Sequence, residues 1–278
     1  MTSLIAAAHA LVSEAAETIV MPLFRNLQAG DIAEKSGPDD LVTVADKQAE
    51  AWLTERLVAL LPGSRVVGEE AATEDPGLID LLGTDQTVWI VDPVDGTRQF
   101  VAGEPDFGIM LALKQDAALR FAIILQPAKA KCLIAEAGEG AMLLVDGRRR
   151  QLCRAKAETR LPRFGALNLR RTPAKWVTAI EQALDEAHIR TRDEICSAAE
   201  YMALAEGESE FVTSTMMMPW DHAPGALILS ELGGASRALE TGRDYTPGVA
   251  NSPHLMVADE AMWEPMARSI RAHLASAA

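Results

Sequence analysis

Trp89-Ile90-Val91-Asp92-Pro93-Val94-Asp95-Gly96-Thr97 decides how the rest of the chain is read. Thr87 to Val91 is a compact, β-rich apolar run, and it stops at an acid. Pro93 cannot donate to a sheet ladder, so the strand is expected to end at Asp92 and turn outward. Gly96 permits a close backbone approach, and Thr97 can cap a following helical turn whose free N–H groups face an anion. Asp92, the carbonyl of Val94 and Asp95 then offer oxygen ligands to one point, the set that a hard cation such as Mg²⁺ takes. Asp-Pro and Asp-Gly are also ordinary turn pairs, and the stretch alone would serve a tight loop equally well.

Working outward, acids recur where elements should begin or end. Gly68-Glu69-Glu70 follows a short strand candidate, Ser64 to Val67. Trp220-Asp221-His222-Ala223-Pro224-Gly225 opens an apolar helical run, and Asp40-Leu41-Val42-Thr43-Val44-Ala45-Asp46 precedes another. Taken singly, Asp46 and Asp221 read as helix caps worth about 1 kcal/mol, and Glu69-Glu70 as a solvated pair. His222 reads as a neutral surface or helix-start histidine.

The remaining pattern is that of a globular α/β chain. Leu4, Ala8, Leu11, Ala15 and Ile19 recur at helical spacing up to Pro22, and a polar loop from Gly30 to Asp40 follows. A helix is expected from about Ala45 to Leu61. Strands are expected at Phe107–Lys114, Leu119–Gln126, Cys132–Ala137 and Ala141–Val145, with a turn at Asp146-Gly147. Beyond it, Leu167–Arg171, Phe211–Ser214 and Leu255–Val257 read as strands. Lys175–Ala187, Ser197–Glu206, His222–Leu232 and Glu260–Leu274 read as helices. The change of rhythm predicts two packed halves, residues 1–146 carrying most of the acids and 147–278 carrying Asp221, with α/β layering.

The 278 residues, 49% hydrophobic and 24% charged, are enough for a sizeable core. Forty acidic against twenty-six basic residues give a formal charge of −14, which repels nucleic-acid backbones and acidic membranes. An anionic ligand would need local recognition, through a cation. Arg148-Arg149-Arg150 reads as a solvated strand start. Cys132, Cys153 and Cys196 lack CxxC spacing and are odd in number, so buried thiols in a reducing, cytoplasmic setting are expected. No apolar run reads as membrane-spanning, and Glu14 and Glu17 interrupt the N-terminal stretch against a secretory signal.

Asp40–Asp46, Gly68–Glu70, Asp92–Thr97 and Trp220–Gly225, in that order and with Phe100–Phe107 after the third, resemble the inositol monophosphatase family, within the Mg²⁺-dependent, lithium-sensitive sugar phosphatases. The resemblance implies a layered αβαβα sandwich and hydrolysis of a small phosphorylated metabolite. It implies two or three Mg²⁺ ions held by Glu69, Asp92, the Val94 carbonyl, Asp95 and Asp221, with Mn²⁺ a substitute and Li⁺ an inhibitor. Glu69, Thr97 and Asp46 would be catalytic. Asp95, Gly96, Thr97, Ser197 and Asp221 would bind substrate, and Lys35 and Glu70 would form the outer shell. It also implies a homodimer. Physical chemistry agrees on the metal: two carboxylates about 4 Å apart repel by roughly 4 kcal/mol at an effective dielectric near 20, a repulsion that divalent ions remove.

Substrate identity is less determined. Inositol-specific relatives carry a glutamate a few residues before the Trp-Asp pair, where this chain has Ser214 and Thr215. Gln99 stands where Asn is usual, and Pro224 where a small residue is usual. The methionines Met216-Met217-Met218 could floor a pocket or pack a core. Three readings follow: a phosphatase for an inositol-1-phosphate-like ester; a sister phosphatase for histidinol phosphate, fructose 1,6-bisphosphate or 3′-phosphoadenosine 5′-phosphate; or a non-catalytic protein- or RNA-binding role.

Overall fold

In the computed structural model, which describes residues 2–37, 40–153 and 159–276, the chain opens with helix α1 (Ser3–Ala15). A wider turn over Ala16–Val20 and a short α2 (Met21–Leu23) prolong it. A hairpin of β1 (Ile32–Gly37) and β2 (Asp40–Thr43) leads into α3 (Val44–Leu60). Then come β3 (Arg65–Gly68), α4 (Glu69–Glu74), β4 (Val88–Asp95) and α5 (Thr97–Ala102). β5 (Gly108–Gln115), β6 (Ala118–Gln126), β7 (Lys131–Glu136), β8 (Gly140–Val145) and β9 (Arg148–Leu152) follow as a meander. β3 to β9 form one seven-stranded sheet in chain order, with β3 and β4 parallel and the rest antiparallel.

The later elements build a second sheet. β10 (Phe164–Leu167), α6 (Ala174–Glu186), β11 (Arg190–Asp193), α7 (Ser197–Glu206) and β12 (Phe211–Ser214) alternate. α8 (Pro219–Glu231), β13 (Ala235–Ala238), β14 (His254–Val257) and α9 (Trp263–Ser276) complete it. The five strands lie in the order β11-β10-β12-β14-β13. β10 runs parallel to both β11 and β12.

Side-chain alternation divides the core into layers. Trp89 and Val91 of β4 face α1 and α3, where Ile5, Val12, Leu53 and Leu57 are buried. Val88 and Ile90 face the opposite way, onto Tyr201, Leu204, Ile228 and Leu229 of α7 and α8. Those two helices also meet Val212 and Met256 of the second sheet. Phe211, Leu255 and Val257 point to its far side, against Trp176 and Ile180 of α6 and Met266 and Ile270 of α9. The order is the expected helix–sheet–helix–sheet–helix sandwich, with β4 and β12 sending alternate side chains to opposite faces of their sheets.

Several local expectations need correction. The supposed polar loop from Gly30 to Asp40 contains β1, a polar strand whose partner β2 supplies its order; Pro38 and Asp39 lie outside the described residues. The strand read at Leu167–Arg171 is Phe164–Leu167 instead, because Asn168 accepts the Arg170 N–H and Arg171 turns left-handed at φ 55°. β11 and β13 were not foreseen, being short and, in β11, wholly exposed. Ser3–Leu23 is, by length and composition, apolar enough to cross a membrane. Its Ile5, Ala8, Val12, Ala15, Ala16 and Val20 pack against the first sheet, so the role of a core helix accounts for that character. Cys153 is exposed, unlike Cys132 and Cys196.

Glu210 pins the start of β10 to β12. Its carboxylate takes Arg160 at 2.7 and 3.1 Å, the Arg163 N–H at 2.7 Å and the Arg163 guanidinium at 3.0 Å. Burial alone would raise its pKa, but these donors overcome that and hold it at about 2. A carboxylate depressed in the folded state stabilises fully above its unfolded pKa near 4.5 and loses that contribution as the pH falls toward the folded value. Glu210→Gln should therefore lower the denaturation midpoint at pH 7, with the gap to wild type closing between about pH 4.5 and pH 2. Urea titrations across that range check this, and a constant gap would contradict it.

Candidate active site

β4 does not stop at Asp92. It continues to Asp95 with its register against β5 shifted between the two acids, so Pro93 produces an irregularity and not an end. Asp92 Oδ1 accepts the Val94 N–H at 3.0 Å, which fixes the kink. Gly96 follows at φ 84°, and a Cβ there would stand 3.0 Å from Cys196 Sγ and 3.1 Å from the Asp106 carbonyl oxygen. Conformation and space both demand glycine. Gly96, not Thr97, caps α5. The Thr97 hydroxyl lies 3.1 Å from both the Val94 carbonyl and Asp46 Oδ1.

Asp221 enters from the other half, in the first turn of α8 behind Pro219. It is inside the helix, not its cap. Asp92, Asp95 and Asp221 each offer a carboxylate oxygen within 4.8 Å of the others. Asp95 also accepts the Ala198 N–H at 2.6 Å, at the start of α7. Burial, then the charges of Glu69, Asp95 and Asp221, hold the Asp92 carboxyl well above the usual range; burial, then Asp95 and Glu69, do the same for Asp221. Among the described residues no lysine or arginine forms a salt bridge with any of the three. Hard oxygen donors converging without a counter-charge fit a divalent cation.

Glu69 and Glu70 begin α4 beside this cluster, and Lys35 reaches from β1 to both, at 2.9 and 2.5 Å. Asp46 is the third residue of α3, not the residue before it; it forms a reciprocal cap with Thr43, accepting the Thr43 N–H at 2.8 Å and the hydroxyl at 2.5 Å. Burial raises its pKa to about 6. One residue here went unnoticed in the sequence. Glu50 is buried one turn beyond Asp46 and accepts the N–H groups of Glu70 and Ala71, each at 2.8 Å. A Cβ on Gly68 would fall 2.3 Å from its carboxyl carbon. The signal was present: an acid at i+4 from Asp46 on the face of Ala45, Ala49, Leu53 and Leu57.

Two cavities open onto the cluster. One of about 210 Å³ is lined by Asp95, Gly96, Thr97, Ser197 and Asp221, and also by Glu194, which the sequence did not single out. Burial, then Glu200 and Asp95, push Glu194 up to about 8. The other, about 650 Å³, runs from Lys35, Glu69 and Glu70 past Asp221 to Met216 and Met218, while Met217 is buried. His222 is buried, not at the surface. Its Nε2 donates to the Met216 carbonyl at 2.8 Å and its Nδ1 accepts from the Tyr201 hydroxyl at 3.0 Å. Burial lowers its pKa to about 4, so it is a neutral brace for the start of α8.

Comparison with known proteins agrees with this geometry. The inositol monophosphatase family profile matches residues 1–274. An inositol-1-monophosphatase of Rhizobium meliloti (strain 1021) is 32% identical over 212 residues, 74% of this chain and 75% of that protein. One of Bacillus subtilis (strain 168) is 28% identical over 242 residues, covering 84% of each. The crystal structure of inositol monophosphatase II from Staphylococcus aureus MSSA476 superposes with a TM-score of 0.79 at 25% identity, over 99% of this chain and 96% of that one.

Glu50 gives the prediction here. Truncation to Ala leaves two buried N–H groups without an acceptor, at roughly 1–3 kcal/mol each. Glu50→Ala should lower the urea midpoint and reduce kcat by displacing Glu69. Unchanged kcat with lowered stability would show that Glu50 does not position the site.

Proposed function

The chain belongs to the inositol monophosphatase family of phosphatases, and from that premise we propose that it hydrolyses a small, inositol-1-phosphate-like phosphate monoester with Mg²⁺. The observation that carries the reading is the convergence of Asp92, Asp95 and Asp221 from two halves of the chain without a counter-cation among the described residues. Asp92, Asp95, Asp221, Glu69 and the Val94 carbonyl would hold the ions; with the Thr97 proton directed to Asp46, the carbonyl oxygen is left to accept from an ion. Bound there, divalent ions would acidify water and neutralise the phosphate. The 210 Å³ cavity beside Gly96 and Thr97 suits a phosphoryl group, with the N–H groups that begin α5 available to its oxygens.

The side chains divide the remaining work. Asp46 Oδ1 accepts the Thr97 proton, which leaves the Thr97 oxygen free to accept one from the attacking water. Glu69 holds the same water from the opposite wall. Lys35 bonds Glu69 and Glu70 and so fixes where they stand in the wall of the larger cavity. Water is the nucleophile in this reading because its competitors are spent. Burial, then Asp95, keep the Cys196 thiol protonated, and both His222 nitrogens are bonded.

Phosphate release from inositol 1-phosphate should require Mg²⁺ and cease with chelator. Asp92→Asn should lower kcat by about a hundredfold or more. In chelator its melting temperature should equal or exceed that of wild type, since one member of a repelling cluster is gone; added Mg²⁺ should raise the wild-type value and not the variant's. Equal turnover with and without chelator would sink the reading.

A further inference from the structure

We propose that the preferred leaving group carries a second phosphate, held by Arg170 and Arg171. The inference rests on the phosphomonoesterase reading and narrows its substrate class. It starts from topology. β10 is followed by a connection to α6 on the outer face of its sheet, while the neighbouring parallel strand β12 is followed by α8 in the middle layer. Ligands bind outside the carboxyl ends of such a strand pair, where the chain leaves in opposite directions. Asn168–Arg171 and Thr215–Met218 flank that crevice, and Asp221 lies on the same side.

The crevice carries positive charge that is only partly offset, by the attraction between Arg170 and the buried Glu194. Arg170 and Arg171 both line the 650 Å³ cavity, and Arg170 also lines the 210 Å³ cavity beside Asp95 and Thr97. Among the described residues neither guanidinium forms a salt bridge, although the chain holds forty acids against twenty-six bases. The loop is braced as well. Asn168 accepts the Arg170 N–H at 3.1 Å, the Thr172 and Thr215 hydroxyls lie 2.7 Å apart, and the Arg171 guanidinium reaches Met216 Sδ at 3.9 Å. Apart from Asp221, the acids of the larger cavity, Glu34, Glu69, Glu70 and Glu74, come from β1 and α4. An ester cleaved at the carboxylate cluster therefore extends its leaving group toward two guanidinium forks that form no salt bridge among the described residues, and their planar donor geometry suits phosphate oxygens.

Three matched pairs test this, each sharing the scissile ester: fructose 1,6-bisphosphate and fructose 1-phosphate, inositol 1,4-bisphosphate and inositol 1-phosphate, adenosine 3′,5′-bisphosphate and adenosine 3′-monophosphate. Wild type should show a KM at least about tenfold lower for the bisphosphate in one pair or more, as one charge-assisted contact allows. Arg170→Ala and Arg171→Ala should each raise that KM about tenfold, Arg171→Ala leaving kcat and the monophosphate KM within twofold; Arg171→Glu should raise it further. No preference in any pair, or variants that shift both members alike, would overturn the proposal. Absence of Mg²⁺-dependent release from all six esters would overturn the phosphatase reading instead.

Discussion

Mutual repulsion among Asp92, Asp95 and Asp221 is the constraint around which the molecule is organised. Their oxygens lie within 4.8 Å of one another, largely out of water. At an effective dielectric near 20, each ionised pair costs roughly 4 kcal/mol at 4 Å, so three pairs rival the whole stability of a typical domain, about 5–15 kcal/mol. Burial raises the carboxyl pKa values and relieves part of this. The rest is borne by packing. α7 and α8 belong to the cores of both sheets at once, so Ala198, which binds Asp95, and Asp221 cannot retreat without uncovering apolar strands on two sides.

The chain treats its acids differently according to what they hold. Glu69 and Glu70 are offset by Lys35, Glu200 by Arg192, and Glu210 by Arg160 and Arg163. Glu50 is offset by two backbone N–H groups. Each of these secures a piece of backbone. The three aspartates receive backbone N–H groups, the Cys196 thiol and one another, but no ammonium or guanidinium in an ion pair among the described residues. These acids are thus offset by the protein itself, whereas the cluster is left to be neutralised from outside.

What the sequence made legible follows from how local each signal is. The kink after Asp92 was readable because proline, glycine and two acids act within nine residues, although the strand itself runs on to Asp95; the layered sandwich came from likeness to a family, with the α/β alternation of the second half in agreement. The cluster came together only through likeness to a family, since no spacing rule relates Asp92 to Asp221 across the two halves. Two helix starts were misplaced for one reason: Thr43 and Gly96 are the true caps, and Asp46, three residues on, and Thr97 offered more obvious capping side chains. β11, with no buried residue, and the β1–β2 hairpin are held by partners instead of by their own pattern. Glu50 was missed because an acid on a helix is ordinarily read as solvated.

Chemistry and selectivity occupy different parts of this chain. The acids of β4 and α4 sit at the ends of the first sheet's strands, and their positions depend on α3 and on the meander behind them. Arg170, Arg171 and the methionines stand on loops after β10 and β12, tied to one another by Thr172–Thr215 and to no acid of the cluster. A loop residue can change there without moving a carboxylate, because its side chain projects into the larger cavity and its backbone is fixed by its own turn. Asp221 is the exception. It stands in the helix that follows the second of these loops, and His222 anchors that helix to the Met216 carbonyl. Changes around Met216 therefore reach the cluster through α8, whereas a change at Arg171 alters what the leaving group meets.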